Sequence, residues 1–202
     1  MADKVTIINR GLSLLGAEPI TDLTDNTVEA KIANRFYDIS RKSILSECLW
    51  NFATKRETLN VIASPGLAYI EGNSNYVFQL PSDIIRIFAV STNGNWRIEG
   101  DRLITDTDEI GIKYVYDMTD TTAFSASFTD AFADKLAADM AYAILNSNTE
   151  AKLLLEKYDG QSLPKAMAEN SQEGTPPAID DSLWVNSKYG YSPINSRGVR
   201  FA

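Results

Sequence analysis

The segment SFTDAFADKLAADMAYAILN, residues 127–146, carries the strongest helical pattern in the chain. Its large apolar side chains recur every four residues, which places them in one row along a helix. The row consists of Phe128, Phe132, Leu136, Met140 and Ile144. Ser127 and Asp130 have the spacing of a capping box, which begins a helix. The pattern predicts an amphipathic helix over 128–146 with this row in the core.

A second long helical pattern covers residues 27–48. Asn26 precedes it as a predicted N-cap, and Glu29 stands three residues further on, at capping-box spacing. The apolar residues again follow a helical period. The predicted core row is Val28, Ile32, Phe36 and Ile39, continuing to Leu45 and Leu49.

Two more helices are predicted nearer the ends of the chain. Residues 3–15 repeat apolar side chains at three- and four-residue spacing and are followed by Gly16, a residue type that favours the left-handed end of a helix. Residues 149–172 form the last pattern, but Gly160 and Pro164 predict that this helix bends or breaks before it resumes.

Between the second and third helices, residues 51–117 change to the two-residue period of β-strands. Asn93-Gly94 is typical of a type I′ hairpin turn, and Gly100-Asp101 fits a type II′ turn. The segment is therefore predicted to be an antiparallel β meander inserted between helices.

The order of elements predicts an α+β protein, with a bundle of about four helices and the inserted meander forming one domain over residues 1–174. Pro176-Pro177 should end the last helix, because proline lacks a donor and disfavours helical geometry before it. Residues 175–202 have no periodicity and are predicted to form an extended C-terminal arm.

Composition excludes several kinds of chemistry. The chain has no histidine and a single cysteine, Cys48, so an imidazole base, an imidazole metal site and an intrachain disulfide are all impossible. A net charge of −8 is the wrong sign for wrapping nucleic acid. The sequence lacks an apolar run of about 20 residues, so we expect no membrane segment.

Three residue sets could carry chemistry, and each has a simpler structural interpretation. The first, from Asp106 and Asp108 through Gly111 to Asp117, imitates a calcium loop, but Ile110 replaces a ligand and the loop would absorb a predicted strand. We therefore favour an acidic turn at this position.

The other two sets are equally open to a structural explanation. Carboxylates on the 128–146 helix are expected to form its solvated face: Asp130, Asp134 and Asp139. The third set could follow a phosphate chain and stack on bases, but its aromatic members are more simply core residues. It comprises Lys55, Arg56, Lys113, Tyr37, Trp50 and Phe52.

Several motifs in order make the chain resemble a known family. NRGLSLLGAEPI at residues 9–20 ends an opening helix in Leu15-Gly16 and continues to Pro19, and a long helix then closes on Trp50-x-Phe52-Ala53. LPSDIIRIF at 80–88, a hairpin at 96–103 and the 128–144 helix extend the likeness to about residue 170. In this order and spacing the chain resembles the tail tubular protein A family, the head-to-tail adaptors of short-tailed bacteriophages.

The resemblance implies a structural protein without enzymatic activity or cofactor. It implies a homo-oligomer, a dodecameric ring that joins the portal protein to the tail nozzle protein and lets DNA pass through its channel without specific binding. The expected location is the virion tail or neck, after assembly in the host cytoplasm. The alternatives are a neck or stopper connector of a long-tailed phage and a small carboxylate-based metal-binding enzyme.

Two docking surfaces are predicted for such an adaptor. The arm is expected to bind the portal or a neighbouring subunit through large and basic side chains: Leu183, Trp184, Tyr189, Tyr191, Arg197, Arg200 and Phe201. The two predicted turns are expected to contact the nozzle, because loop tips at the end of a sheet often form recognition surfaces. That set is Asn93, Gly94, Trp96, Gly100 and Asp101.

Overall fold

The computed structural model describes residues 3–63, 76–92 and 94–174. Within them it contains helices and two antiparallel sheets, so the predicted α+β class is confirmed. The helices are α1 (Lys4–Leu14), α2 (Val28–Glu47), α3 (Ala126–Leu145), α4 (Asn148–Lys157) and α5 (Leu163–Gln172). The predicted arm and its seven docking residues, which lie within 183–201, are outside the described residues, and so is Asn93.

Helix α3 is the centre of the helical body and packs against α1, α2 and α4. The predicted row is buried from Phe128 to Met140, and the alanines on the other sides are buried as well. The predicted cap is wrong by two residues: Ser125 accepts the hydrogen bond from the Phe128 N–H at 3.2 Å, while Ser127 is buried inside the first turn. The serine-rich stretch at 125–127 offers two caps, and only Ser125 lies outside the helix.

Helix α2 differs from prediction in both its cap and its buried face. Thr27 caps the helix by accepting from the Ala30 N–H at 3.2 Å, in place of Asn26. The side facing α3 is built mainly of other residues: Ala30, Ala33, Tyr37, Ser40, Arg41, Ile44 and Leu45. Of the predicted core row, Val28 and Ile39 are exposed, whereas Leu45 is buried.

The last two helices form one continuous helical segment over 148–172, since a π-helical turn at Tyr158–Ser162 joins α4 to α5. Gly160 and Pro164 therefore mark a change of hydrogen bonding and not a break. Pro164 has no N–H to donate to the preceding turn, and a π-helical turn is one way of accommodating that missing donor.

In the described part of the chain, seven strands form two antiparallel sheets. They are β1 (Thr54–Thr58), β2 (Val61–Ala63), β3 (Tyr76–Gln79), β4 (Ile84–Val90), β5 (Trp96–Glu99), β6 (Arg102–Thr105) and β7 (Gly111–Tyr116). The strand orders are β1-β7-β4 and β2-β3-β6-β5. The predicted single meander is wrong, because β7 returns to lie between β1 and β4, and β6 pairs with β3.

The molecule is layered, with the helices on one side of the three-stranded sheet and the four-stranded sheet on the other. Val115, Ile85 and Phe88 pack on the helical core. Residues of the opposite face of the same sheet, including Ile112 and Tyr114, form a second core with the four-stranded sheet.

Arg41 joins the helical body to the strands. Its guanidinium is buried, donates to the Asp117 carboxylate and to the Met118 carbonyl at 2.8 Å, and also reaches Asp38 at 3.3 Å. Lys42 approaches the other oxygen of Asp117 at 3.4 Å from the surface. Helix α2 is thereby tied to the residues that follow β7.

Candidate interaction surfaces

The β5–β6 hairpin ends in a well-held tight turn. Gly100 has φ +62°, as the predicted turn requires. The side-chain amide of Gln79, on neighbouring β3, donates to the Asp101 carbonyl at 3.0 Å and to its carboxylate at 3.1 Å. The side-chain hydrogen bond from Gln79 lowers the pKa of Asp101. This turn is a fixed, exposed feature of the surface.

Gly94 does not lie in a hairpin, contrary to prediction, because β4 and β5 belong to different sheets. It instead lies beside the Asp106 carboxylate, which would have to move to make room for a side chain at position 94. The Asn95 N–H donates to the same carboxylate at 3.3 Å. Gly94 and Gly100 stand at opposite ends of β5, up to about 20 Å apart at ~3.3 Å per residue. The two sites predicted to contact the nozzle therefore lie apart along this strand.

Trp96 and Ile98 occupy the inward face of the four-stranded sheet, yet about half of each side chain is exposed. Ile98 is paired with buried Leu103, which fixes the face on which it lies. The exposed fractions are 45% for Trp96 and 46% for Ile98. The sandwich is therefore open on this side.

The opening is an apolar cleft of about 350 Å³ between strands β4 and β5. Its lining comes from both sheets: Leu80, Ile84, Ile85, Arg86, Ile87, Trp96, Ile98 and Gly100. Each of the two strands is the edge strand of its sheet within the described residues. We name this feature the β4–β5 cleft. Trp96 was predicted as a contact residue from the sequence, but Ile98 and the isoleucines of β4 were not, although the alternation of Trp96 and Ile98 could have indicated a shared face.

Helix α2 carries a second apolar row opposite its buried face. Val28 and Ile39 are strongly exposed, with Ile39 at 62%, and the half-buried Ile32 lies between them on the same side. At 100° per residue these three lie within about 40° of one another. We name Val28, Ile32 and Ile39 the α2 outer row.

Helix α4 is a surface helix that contains no buried residue. Leu153 and Leu155 are exposed on it, and Tyr142 and Leu145 are exposed near the end of α3. Since α2 and α4 both pack on α3, the body presents apolar side chains on more than one helix.

The three carboxylates of α3 are structural, but not in the manner predicted. Asp134 is buried, accepts from Lys157 Nζ at 2.8 Å and receives the Ser162 hydroxyl, so it joins α3 to α4 and the π turn. Asp139 accepts from Ser40 at 2.5 Å and pairs with Lys135, while Asp130 pairs with Arg10. The interpretation as a solvated face is wrong for Asp134. Each carboxylate has a partner on another helix.

The calcium-like residues are separated by a strand. Residues 111–116 form β7, as the competing interpretation required, and Asp117 at its end pairs with Arg41. Asp106 lies at the other end, against Gly94. In the described part of the chain, no group of three or more His, Cys, Asp or Glu residues could hold a metal ion.

The aromatic residues considered for base stacking are core or half-buried. Trp50 is fully buried, donates from Nε1 to the Ile44 carbonyl at 2.9 Å and meets the Phe128 ring edge-on. Phe52 packs on the same ring. Burial raises the pKa of Tyr37, which packs on Phe132, to about 12.

The three cations that accompanied them lie on the three-stranded sheet. Lys55 pairs with Asp83 at 2.6 Å. Arg56 and Lys113 face each other across β1 and β7 and line a shallow depression of about 400 Å³ beside Glu57 and Ser91. An acidic side chain within the set weakens any use of it for binding phosphate.

No protein-family model matches the chain, and no curated protein matches its sequence. None of the helices in the described ranges is long and apolar enough to cross a membrane.

Proposed function

We propose that the chain is a structural head-to-tail adaptor of a bacteriophage, whose copies form a ring between the portal and the tail nozzle and let DNA pass through the channel. The proposal rests on the resemblance in sequence and on one structural observation, the α2 outer row. It assigns no catalytic residue and no cofactor. The protein acts through its contacts with other proteins of the particle.

The α2 outer row supports assembly because it presents two strongly exposed large apolar side chains, Val28 and Ile39, beside Ile32, which is partly buried against the helical core. Single exposed apolar residues are ordinary, but an aligned row on the face opposite the core is typical of a helix that packs on another protein. The exposed Leu153 and Leu155 belong to a different helix. Contact between two different patches on successive subunits is the heterologous kind that closes into rings.

The acidic composition supports the passage of DNA. Tight phosphate contacts would have to break at each step of DNA movement, and a chain with net charge −8 makes few of them. We further propose that the C-terminal arm docks on the portal or a neighbouring subunit. For the nozzle we keep the exposed Gly100-Asp101 turn and Trp96 as the contact, since Gly94 lies at the other end of β5.

The experiment is a mass measurement of the purified chain alone and after mixing with rings of its portal protein. We expect the chain to add to portal rings in multiple copies. Ile39→Asp should abolish that addition, because it places a charge at a strongly exposed position of the α2 outer row.

Asn34→Asp is the matched control, since it adds the same charge at an exposed position of the same helix. It should leave addition intact. A folded Ile39→Asp chain that adds to portal rings as well as the Asn34→Asp chain would refute the role of the row. Failure of the unmodified chain to bind either portal or nozzle would refute the adaptor function.

A further inference from the structure

Within the ranges that the structure describes, no element covers the apolar β4–β5 cleft. In a two-sheet sandwich, inward side chains of both sheets bury one another. Trp96 and Ile98 point inward but face a cleft where Ile84 and Ile87 of the other sheet are also only partly covered. An extended segment carrying apolar side chains on one face would complete the layer.

The end of α5 can be placed relative to this cleft through contacts with the α2–β1 junction. The Asn170 side chain holds the α2–β1 junction, donating to the Leu49 carbonyl at 2.9 Å, and Glu173 accepts from Asn51 at 3.2 Å. Strand β4 touches the same junction, because Arg86 donates to the Ser46 carbonyl at 2.8 Å. The chain that continues after Gly174 therefore starts within roughly 25 Å of β4, given at most ~3.5 Å per residue between Ser46 and Asn51.

That continuation has the length and pattern that the cleft requires. Eight residues lie between Gly174 and Leu183, and the nine Cα–Cα steps across them can span about 30 Å. Beyond them, Leu183 and Val185 form one apolar pair at two-residue spacing, and Tyr189 and Tyr191 form another. In an extended segment such pairs share a face, as Trp96 and Ile98 do on β5.

Charge also favours the contact. Residues 175–202 hold three basic and two acidic side chains, a net charge of +1. The remainder of the chain then holds 16 basic and 25 acidic residues, a net charge of −9. Attachment to the same chain adds a high effective concentration that a separate partner lacks.

We propose that the β4–β5 cleft is the docking site for residues 183–191 of the same chain. The segment lies extended along the cleft and places one apolar pair on Trp96 and Ile98. In the unassembled subunit the cleft and the arm thus cover each other's apolar side chains. The inference concerns the isolated chain and does not depend on ring formation or on phage function.

The test replaces Ile98 with the photo-crosslinking residue p-benzoylphenylalanine in the full-length chain and maps the crosslinked peptides by mass spectrometry. Leu153, which is 54% exposed on α4, receives the same residue as the control. We expect position 98 to join the peptide containing 183–191 and position 153 not to do so. In a mixture of ¹⁵N-labelled and unlabelled chains, the two peptides of every 98-to-arm product should be either both labelled or both unlabelled.

A second variant, Val185→Asp, places a charge on the face that meets the cleft, and it should lower the yield of the 98-to-arm product about tenfold, the change that ~1.4 kcal/mol of lost contact produces. In the chain without the crosslinker, the same substitution should speed deuterium uptake at the β5 amides. Mixed-label products would overturn docking on the same chain. Equal arm labelling from positions 98 and 153, or unchanged β5 exchange in Val185→Asp, would overturn the cleft as the site.

Discussion

Replacing Arg41 with alanine should destabilise the protein by about 3 kcal/mol. The guanidinium is 3% exposed and makes two bonds away from bulk water, one to the Asp117 carboxylate and one to the Met118 carbonyl. A hydrogen bond involving a charged group contributes roughly 1.5 kcal/mol or more, so these two give about 3 kcal/mol. The third bond, to exposed Asp38, adds little because water competes for it.

Lys42→Ala is the matched control, because Lys42 approaches the same carboxylate from the surface with a side chain that is 57% exposed. Exposed ion pairs contribute at most about 1 kcal/mol. Urea unfolding of the two variants, followed by circular dichroism, compares the two free energies of unfolding directly. The double variant with Asp117→Asn measures how much of the Arg41 effect passes through that carboxylate.

The stability that Asp117 contributes should depend on pH. Burial alone would raise the pKa of Asp117, but hydrogen bonds and charge from Arg41 and Lys42 outweigh it, so the net shift is downward. The stabilisation is therefore complete above the unfolded value of about 3.9 and is lost as the pH falls through the lower folded value. Equal losses for Arg41→Ala and Lys42→Ala, or an Asp117→Asn deficit that persists undiminished below the folded pKa, would refute this account.

Two further predictions concern stability. Trp50→Ala should lower the free energy of unfolding by about 4 kcal/mol, because it opens a cavity beside Phe128. Trp50→Phe keeps a ring but leaves the Ile44 carbonyl without its donor, and it should cost about 1–2 kcal/mol. Thermal unfolding measures both costs, and equal costs would contradict the packing argument. Gly100→Ala should destabilise the protein by about 1–2 kcal/mol, because φ is +62° at this position. Gly160→Ala lies in helical backbone with open space around it and should stabilise the protein by up to about 1 kcal/mol. Changes of the same sign in the free energy of unfolding of the two variants would contradict this prediction.

Local chemistry allowed the sequence to predict much of the helical part. The end of α1 follows from Gly16, whose φ of +66° is the left-handed geometry that its position suggested. The row from Phe128 to Met140 is buried because large apolar side chains at helical spacing form one face, and that face packs in the core. Both inferences need only neighbours along the chain.

The β-rich part could not be predicted in the same way. A two-residue period shows that Arg102–Thr105 and Gly111–Tyr116 are strands, but pairing of β7 with β1 joins residues more than 50 positions apart. Asn93-Gly94 has the composition of a hairpin turn, yet the strands before and after it, β4 and β5, belong to different sheets. The β4–β5 cleft depends on this topology, so it could not be predicted from the sequence.

The error in helix α2 supports the proposed assembly. Its strongest apolar pattern, with Val28, Ile32 and Ile39, obeys the helical period but faces outward. The inward face instead combines small residues in its first turns, Ala30 and Ala33, with the larger Ile44 and Leu45 near its end, and alanines of α3 are buried with them in one core. A helix that serves only a monomer needs one apolar face. Two apolar faces are what a helix needs when it packs on its own core and on a second protein, and the α2 outer row is where we expect that second protein to bind.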